Sequence, residues 1–228
     1  MGIIYGRGGL IRGRRNIVDS ILNLSPTNYY KSGDYLLNGS TVSQWNNLVS
    51  SNHLTQSTAS LQPQKVTVGG RDWLRFDGVD DFLTATFSLF SNQTTGSIFI
   101  KVSFSNLNGI KMLVSERESA TAGTASLVYS NITSLSGQSS TVLSGGSLSI
   151  NTPLVAGWRF QNGQRVLTIN NTLVATDSNN TPALTYLPMR VGRHYSTTSA
   201  EFQGDIGGIV HFNRFVNDTE LSTIVSNL

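Results

Sequence analysis

The sequence predicts an all-β domain built as a sandwich or barrel of short strands. Residues 97–104 alternate the apolar Ile98, Ile100, Val102 and Phe104 with a mostly polar opposite face, which is the period of two of a β-strand. Charged residues make up only 13% of the chain, as in turn-rich β-proteins with neutral polar faces. Apolar runs recur throughout and 38% of the chain is hydrophobic, which excludes a disordered protein.

Further strands follow the same pattern and are separated by turns. Apolar or alternating runs predict strands at residues 110–114, 126–129, 154–160, 165–169, 172–175 and 206–212. Clusters of Asn, Gly, Gln and Ser separate them at residues 106–109, 144–146, 161–163 and 178–180. Many short strands at close spacing indicate a sandwich or barrel.

One helix is predicted, at the C-terminal end. Asn217 is a good N-cap residue, and Glu220 stands three residues later, where it closes a capping box. Val216 before the cap and Leu221 inside the helix can form a hydrophobic staple. An apolar stripe then runs along one face. Its members are Leu221, Ile224, Val225 and Leu228.

The N-terminal segment differs from the rest of the chain in charge. Residues 1–15 hold four arginines and no acidic residue, giving +4, while the other residues hold 12 basic and 13 acidic groups, giving −1. We therefore divide the chain into a basic, Gly/Arg-rich N-terminal arm with a linker (residues 1–24) and a β-sandwich (residues 25–228). The residues expected to dock the arm and drive assembly are Ile4, Tyr5, Arg7, Leu10, Arg12, Arg14 and Arg15.

The partner of this arm stays open between three interpretations. The arginines could neutralise phosphates of a nucleic acid, dock on an acidic protein surface, or belong to a solvated tail. The interleaved Ile, Tyr and Leu favour protein docking, because apolar residues gain little from a phosphate backbone. The chain has no cysteine, which excludes disulfides and Cys-based zinc sites and fits cytosolic synthesis. No apolar run approaches the roughly 18 residues of a membrane helix.

Five segments, in this order, carry a resemblance to a known fold family. They are residues 42–48 (VSQWNNL), 61–63 (LQP), 73–83 (WLRFDGVDDFL), 189–192 (MRVG) and 203–228. Together they resemble the concanavalin A-like lectin/glucanase superfamily, the laminin-G-like jelly rolls also found in phage structural proteins. The resemblance implies a jelly-roll β-sandwich closed by the short C-terminal helix. Members of this family are sugar binders, glycanases or structural modules, so the resemblance in fold does not by itself select the function.

The resemblance also implies a hairpin over residues 165–175. The position of its turn glycine is taken here by Asn171, which tolerates a left-handed conformation. Trp45, Trp73 and Trp158 are each flanked by strand residues, and we expect them in the core.

The residues that glycanases of this fold use are missing. Those enzymes carry Glu-x-Asp-x-(x)-Glu on a strand, which projects carboxylates onto one face. The nearest sequence is Glu116-Arg117-Glu118, for which we expect a surface or turn position. His53, His194 and His211 are too scattered for a metal triad, and we expect His211 to be packed or at an edge. We predict no catalytic residues and no enzyme activity.

Two groups of residues are candidates for binding. Asp77, Asp80 and Asp81 lie within five residues and are weak candidates for calcium ligands, although turn formation explains them better. No other cofactor is expected. Candidate glycan contacts are loop aromatics that stack on sugar rings and loop amides that bond hydroxyls. They are Asn179, Asn180, Tyr186 and Tyr195.

Taken together, these features predict a non-enzymatic structural protein of a bacteriophage virion, as a capsid decoration, a minor capsid protein or a tail or fibre component. We expect the arm to anchor the subunit to other virion proteins, the β-sandwich to face outward and the protein to form a homo-oligomer. Host cell-surface glycans are candidate ligands, whereas membranes and nucleic acid are not expected partners. The alternatives are a stand-alone carbohydrate-binding lectin and, less favoured, a glycoside hydrolase.

Overall fold

The computed structural model describes residues 19–117, 125–139, 141–181, 188–194 and 200–228, and the predicted all-β fold is confirmed. These residues form sixteen β-strands, two short 3-10 helices and one α-helix. The strands are β1 (Asn28–Asn38), β2 (Thr41–Asn47), β3 (Leu54–Thr55), β4 (Gln64–Val68), β5 (Arg71–Asp77), β6 (Leu83–Thr84), β7 (Gly96–Phe104), β8 (Ile110–Arg117), β9 (Ala125–Asn131), β10 (Ser134–Ser139), β11 (Thr141–Gly145), β12 (Leu154–Gln161), β13 (Gln164–Ile169), β14 (Thr172–Asp177), β15 (Arg190–Val191) and β16 (Gln203–Phe212). The helices are the 3-10 turns Leu22–Leu24 and Ala59–Leu61 and the α-helix α1 (Asp218–Asn227).

Hydrogen bonds join these strands into one path that folds over into two packed layers. The first layer has the order β4-β5-β16-β7-β12-β13-β14, and the second has the order β11-β10-β9-β8-β15-β6-β3-β2. A single pair, Thr41 with Gln64, joins β2 to β4. Strand β1 pairs with both β16 and β2, so it forms the corner between the layers.

A large apolar core fills the space between the layers. Trp45 and Trp158 are fully buried in it, as predicted. Trp73 is also buried, but it projects from the outer face of the first layer. Its neighbours Leu74 and Phe76 face the core, and alternate side chains of a strand point to opposite faces.

The C-terminal helix covers part of the outer face of the first layer. Ile98, Ile100, Val102 and Phe104 of β7 face the core as predicted. The opposite face differs from the prediction, because Ser97 and Phe99 are fully buried. Phe99 belongs to a second apolar cluster formed with α1, and the Ser97 hydroxyl donates to the carbonyl of Arg214 at 2.8 Å. Because α1 packs on this face, the side chains that the alternating pattern predicts in water are covered by the helix.

The start of α1 has the predicted cap. The side chain of Asn217 accepts a hydrogen bond from the Glu220 amide at 2.9 Å, and the Glu220 carboxylate accepts one from the Asn217 amide at 3.0 Å. Val216 and Leu221 lie in the same buried cluster. The capping box and the staple are therefore confirmed, and Arg214 adds an ion pair to Glu220 at 2.7 Å.

The hairpin of β13 and β14 is present, but its left-handed residue is Asn170 (φ 54°), so the prediction for Asn171 was wrong. The physical reason lies in neighbouring strand β12. The Asn170 side chain accepts a hydrogen bond from the Val155 amide, and the Asn170 amide donates to the Val155 carbonyl, each at 2.8 Å. These two bonds hold Asn170 at the turn position that needs a positive φ.

The predicted docking residues of the N-terminal arm lie outside the described residues, since the description begins at residue 19. Ile21, in the predicted linker, is fully buried against the cluster beneath α1. None of the described helices combines the length and the hydrophobicity that a membrane-spanning helix requires.

Candidate functional site

A row of polar side chains crosses four strands of the second layer. Gln44 pairs with Thr55, Thr55 with Thr84, and Thr84 with Arg190, which links β2, β3, β6 and β15. Residues that pair directly across strands project to the same face. The adjoining pairs, such as Val191 with Leu83, are buried in the core, so the polar row lies on the outer face.

A groove with a volume of about 490 Å³ lies over this row. We call it the polar groove, and its main lining residues are Thr55, Gln56, Ser57, Phe82, Thr84 and Arg190. These are hydroxyl, amide, aromatic and guanidinium side chains, the groups that orient a polar ligand in a binding pocket.

Phe82 provides the aromatic surface of the polar groove. It is half-buried, and the guanidinium carbons of Arg190 and Arg193 lie 5.1 Å and 5.6 Å from its ring centroid. Arg193 also approaches the buried Glu201 at 3.7 Å. The positive charge at this end of the groove is therefore held by ring contacts and by a carboxylate.

Some polar groups in the groove are engaged and others are available. The Thr84 hydroxyl bonds the carbonyls of Ala85 and Met189, each at 3.3 Å. The Gln56 side chain accepts from the Thr58 amide at 3.0 Å and is almost fully buried. No hydrogen bond joins the Thr55 or Ser57 hydroxyl to another described residue, so both can bond a ligand.

The glycan contacts predicted from the sequence do not line this groove in the described part of the chain. Asn179 and Asn180 follow β14 at an edge of the first layer. The Asn179 amide donates to Asp177 at 3.1 Å, and the Asn180 side chain accepts from the Gly163 amide at 2.7 Å. Tyr186 and Tyr195 lie outside the described residues. The role of all four in glycan binding stays a prediction.

The three aspartates after β5 form a compact turn. One carboxylate oxygen of each lies within 4.8 Å of the other two. Asp77 accepts hydrogen bonds from the amides of Val79 and Asp80 at 2.8 Å and 3.3 Å, and Asp81 accepts one from the Asp77 amide at 3.0 Å. Burial, with a smaller contribution from the neighbouring carboxylates of Asp77 and Asp80, raises the pKa of Asp81 to about 6. These contacts describe turn chemistry and do not themselves indicate a bound ion.

Glu116 corrects one expectation from the sequence. It was expected at the surface or in a turn, but it is fully buried at the end of β8. Its carboxylate accepts hydrogen bonds from the amides of Leu89 and Phe90 and from the Ser88 hydroxyl. Burial raises its pKa to about 7. The backbone of residues 88–90 supplies the donors that let a carboxyl occupy the interior. Glu118 lies outside the described residues.

His211 is packed in the interior, one of the two positions expected for it. It is almost fully buried, and burial lowers its pKa to about 3. Its Nδ1 lies 3.1 Å from the side-chain nitrogen of Asn28. The neutral imidazole accepts that bond, so this histidine serves the fold.

Sequence reasoning missed the polar groove. Phe82 belongs to the segment 73–83 that carries the family resemblance, but in that segment the sequence draws attention to the carboxylates of Asp77, Asp80 and Asp81. Thr84 and Arg190 are more than 100 residues apart and become neighbours only through the pairing of β6 with β15. The one signal in the sequence was an aromatic residue placed directly before a two-residue strand.

No protein-family model and no curated protein matches this chain. Among solved structures, Trypanosoma rangeli sialidase in complex with 2,3-difluorosialic acid has a TM-score of 0.67 at 11% identity, over 89% of this chain and 33% of that one. The same sialidase with the inhibitor DANA has a TM-score of 0.65 at 13% identity, over 87% of this chain and 32% of that one. The chain thus spans about a third of these sialidases.

A carbohydrate-binding module, CBM40 of the Ruminococcus gnavus IT-sialidase bound to alpha2,3 sialyllactose, overlaps with a TM-score of 0.49 at 17% identity, over 58% of this chain and 83% of that one. That overlap is too low to support an argument. At these identities the sialidase similarity shows the fold alone. The chain therefore shares a β-sandwich fold with parts of larger proteins, and its specific membership of the concanavalin A-like superfamily stays a prediction.

Proposed function

We propose that this protein is a non-enzymatic carbohydrate-binding β-sandwich that holds a glycan in the polar groove. The observation that carries the proposal is the row Thr55–Thr84–Arg190 with Phe82 beside it. Sugars present hydroxyl groups on a ring with apolar faces, so their sites combine hydrogen-bonding side chains with an aromatic surface.

Each side chain of the groove has a distinct part in this proposal. Phe82 contacts the apolar face of a sugar ring. The hydroxyls of Thr55 and Ser57 donate to or accept from sugar hydroxyls, because both are without other hydrogen bonds among the described residues. Arg190 adds charged donors that suit an acidic or hydroxyl-rich sugar. Two of the solved structures that share the fold are a sialidase in complex with 2,3-difluorosialic acid and with sialic acid, which supports sialylated glycans as the first ligands to test.

The absence of catalysis is part of the same proposal. Of the candidate acid pair Glu116 and Glu118, the structure describes Glu116. Its carboxylate oxygens already accept hydrogen bonds from two backbone amides and from the Ser88 hydroxyl. A catalytic acid needs a carboxyl that reaches the glycosidic oxygen.

A structural role in a virion is the second candidate function. It is supported by the separation of charge along the chain, with +4 in residues 1–15 and −1 in the remainder. In this proposal the arm anchors the subunit to other virion proteins, and the sandwich presents the polar groove outward to cell-surface glycans. The two roles are compatible, since one uses the arm and the other uses the second layer.

Binding of the full chain to a glycan array, followed by calorimetric titration of the best ligand, tests the proposal. Sialylated and neutral oligosaccharides are both included. We expect saturable binding, and we expect Phe82→Ala to weaken it by about tenfold or more. Phe215→Ala is the matched control, because Phe215 is also half-buried beside a guanidinium, that of Arg159 at 5.1 Å, but lies next to α1.

Three results would contradict the proposal. The first is an array on which no glycan binds to the full chain. The second is equal weakening by Phe82→Ala and Phe215→Ala, which would place the ligand elsewhere or reflect general loss of stability. Release of 4-methylumbelliferone from its sialoside or other glycosides would show that the protein is an enzyme.

A further inference from the structure

A second cavity opens on the outer face of the first layer, beside the C-terminal end of α1. Its volume is about 430 Å³. We call it the cationic cleft. Its walls come from β1, β5 and β7, on the opposite layer from the polar groove. The lining residues that matter here are Tyr29, Lys31, Arg71, Asp72, Trp73 and Lys101.

Two charges of the cleft are neutralised within the protein. Lys31 forms an ion pair with Asp19 at 2.7 Å. Asp72 forms one with Lys65 at 3.0 Å and accepts a hydrogen bond from the Thr67 hydroxyl at 2.7 Å. Lys31 and Asp72 therefore contribute little net charge to the cleft.

Of the three described cations that line the cleft, Lys101 and Arg71 are the two without an acidic partner. Among the described residues, no ion pair joins either of them to a carboxylate, that of Leu228 included. Lys101 is half-buried, and burial together with the charge of Arg71 lowers its pKa. A half-buried ammonium beside another cation destabilises the protein that holds it.

Most of the residues outside the described ranges carry no acidic side chain. Residues 1–18, 182–187 and 195–199 contain neither aspartate nor glutamate. The one acidic residue outside the described ranges is Glu118. Among the described residues this pair is therefore without a carboxylate partner, and its charge is available to an anionic ligand.

The floor of the cleft is apolar. Trp73 is 5% exposed, and its indole N–H has no hydrogen-bond partner among the described residues. Its ring lies against Gly207 of β16, where a Cβ atom would come within 2.9 Å of the ring. Glycine at this position lets the ring lie close to the sheet and leaves the cleft open above it.

We propose that the cationic cleft is a binding site for a small organic anion, a sugar-sized molecule that carries a carboxylate or sulfate group. The anionic group lies between Lys101 and Arg71, where charge-assisted hydrogen bonds are strongest. The body of the molecule contacts Trp73 and Tyr29. The site lies on the opposite layer from the polar groove, so it stands or fails independently of glycan binding there.

Titration of the full chain with D-glucuronate, with D-glucose as the neutral control, tests this site. We expect glucuronate to bind and to raise the melting temperature, and glucose to do neither. Lys101→Met removes the charge and keeps the length of the side chain. It is expected to weaken glucuronate binding by about tenfold or more and, without ligand, to raise the melting temperature slightly. Arg71→Gln, at an exposed position, is expected to weaken binding without changing the fold.

The matched control is Lys111→Met. Lys111 is also half-buried but lies on β8 in the second layer, so its loss is expected to leave glucuronate binding unchanged. Equal binding of glucuronate by wild type, Lys101→Met and Arg71→Gln would overturn the proposal. So would glucose binding as tight as glucuronate binding, or a large loss of stability in Lys101→Met, which would make Lys101 a structural residue.

Discussion

Gly137 of β10 lies directly against the indole ring of Trp158 in β12, across the interface between the two layers. A Cβ atom at position 137 would come within 2.4 Å of Trp158 Cε3. Trp158 is fully buried, so its ring has no free space into which it could shift. The missing side chain at position 137 therefore sets how closely the two layers approach at this point.

The first prediction follows from this contact. Gly137→Ala is expected to lower the free energy of unfolding by about 1–3 kcal/mol, because overpacking forces side chains or strands apart. Urea denaturation measures the change. Gly137→Ala combined with Trp158→Phe is expected to lose less than the sum of the single variants, since the smaller ring makes room. The Trp158 indole N–H has no partner among the described residues, so this replacement breaks no hydrogen bond. Strict additivity would contradict the packing argument.

The parts of the fold that the sequence predicted depend on local patterns. The core face of β7 follows from the alternation at Ile98 and Ile100, and the cap of α1 follows from Asn217 and Glu220 three residues apart. The burial of Phe99 could not be predicted this way. It depends on α1 returning to the sheet more than 100 residues later.

The candidate sites were less predictable for the same reason. Arg190 reaches Phe82 and Thr84 only because β15 pairs with β6. Lys101 appeared in the sequence as one polar residue in an alternating strand. Its lack of a counter-ion is visible only when Arg71 and the ion pairs around it are placed in space.

The second prediction concerns Glu116 and pH. Its pKa rises from 4.5 to about 7 on folding because the carboxyl is buried. The folded state then holds a proton that the unfolded state releases between these two pH values. The stability that this group contributes is fully present below pH 4.5 and is lost as the pH rises to about 7, by on the order of 3 kcal/mol.

Urea denaturation of wild type and Glu116→Gln at pH 5 and pH 8 isolates this effect. Asp81 has a raised pKa as well and contributes with the same sign, but it is present in both proteins and cancels in the comparison. Stability of the variant relative to wild type is expected to increase from pH 5 to pH 8. A difference that does not change with pH would mean that the hydrogen bonds to residues 88–90 keep Glu116 ionised.

The third prediction concerns the turn of Asp77, Asp80 and Asp81. Asp77→Ala removes the acceptor of two backbone amides and is expected to lower the melting temperature, because the turn loses its side-chain hydrogen bonds. Calcium is expected to leave the melting temperature of wild type unchanged, since two of the three carboxylates already bond backbone amides. A rise with calcium that Asp80→Asn abolishes would instead identify a calcium site.

The fourth prediction concerns the N-terminal arm. Light scattering of the full chain and of a variant lacking residues 1–16 compares their masses in solution. We expect the full chain to assemble, or to dock on a neighbouring virion protein, and the shortened protein to stay monomeric. Asp19 and Ile21, which contact the sandwich, are retained in both proteins. The folded body is therefore not expected to lose stability.

Two further variants separate the contributions of charge and of apolar contact in the arm. Replacement of Arg7, Arg12, Arg14 and Arg15 by Gln removes +4 and keeps Ile4, Tyr5 and Leu10. Replacement of those three apolar residues by Ser does the reverse. If the arm docks on protein, the apolar variant is expected to lose assembly, and the charge variant is expected to lose part of it in a salt-dependent way. The same oligomeric state for all the proteins would assign the arm no role in assembly. Salt-dependent binding of an oligonucleotide by the full chain, lost in the charge variant alone, would assign it to nucleic acid instead.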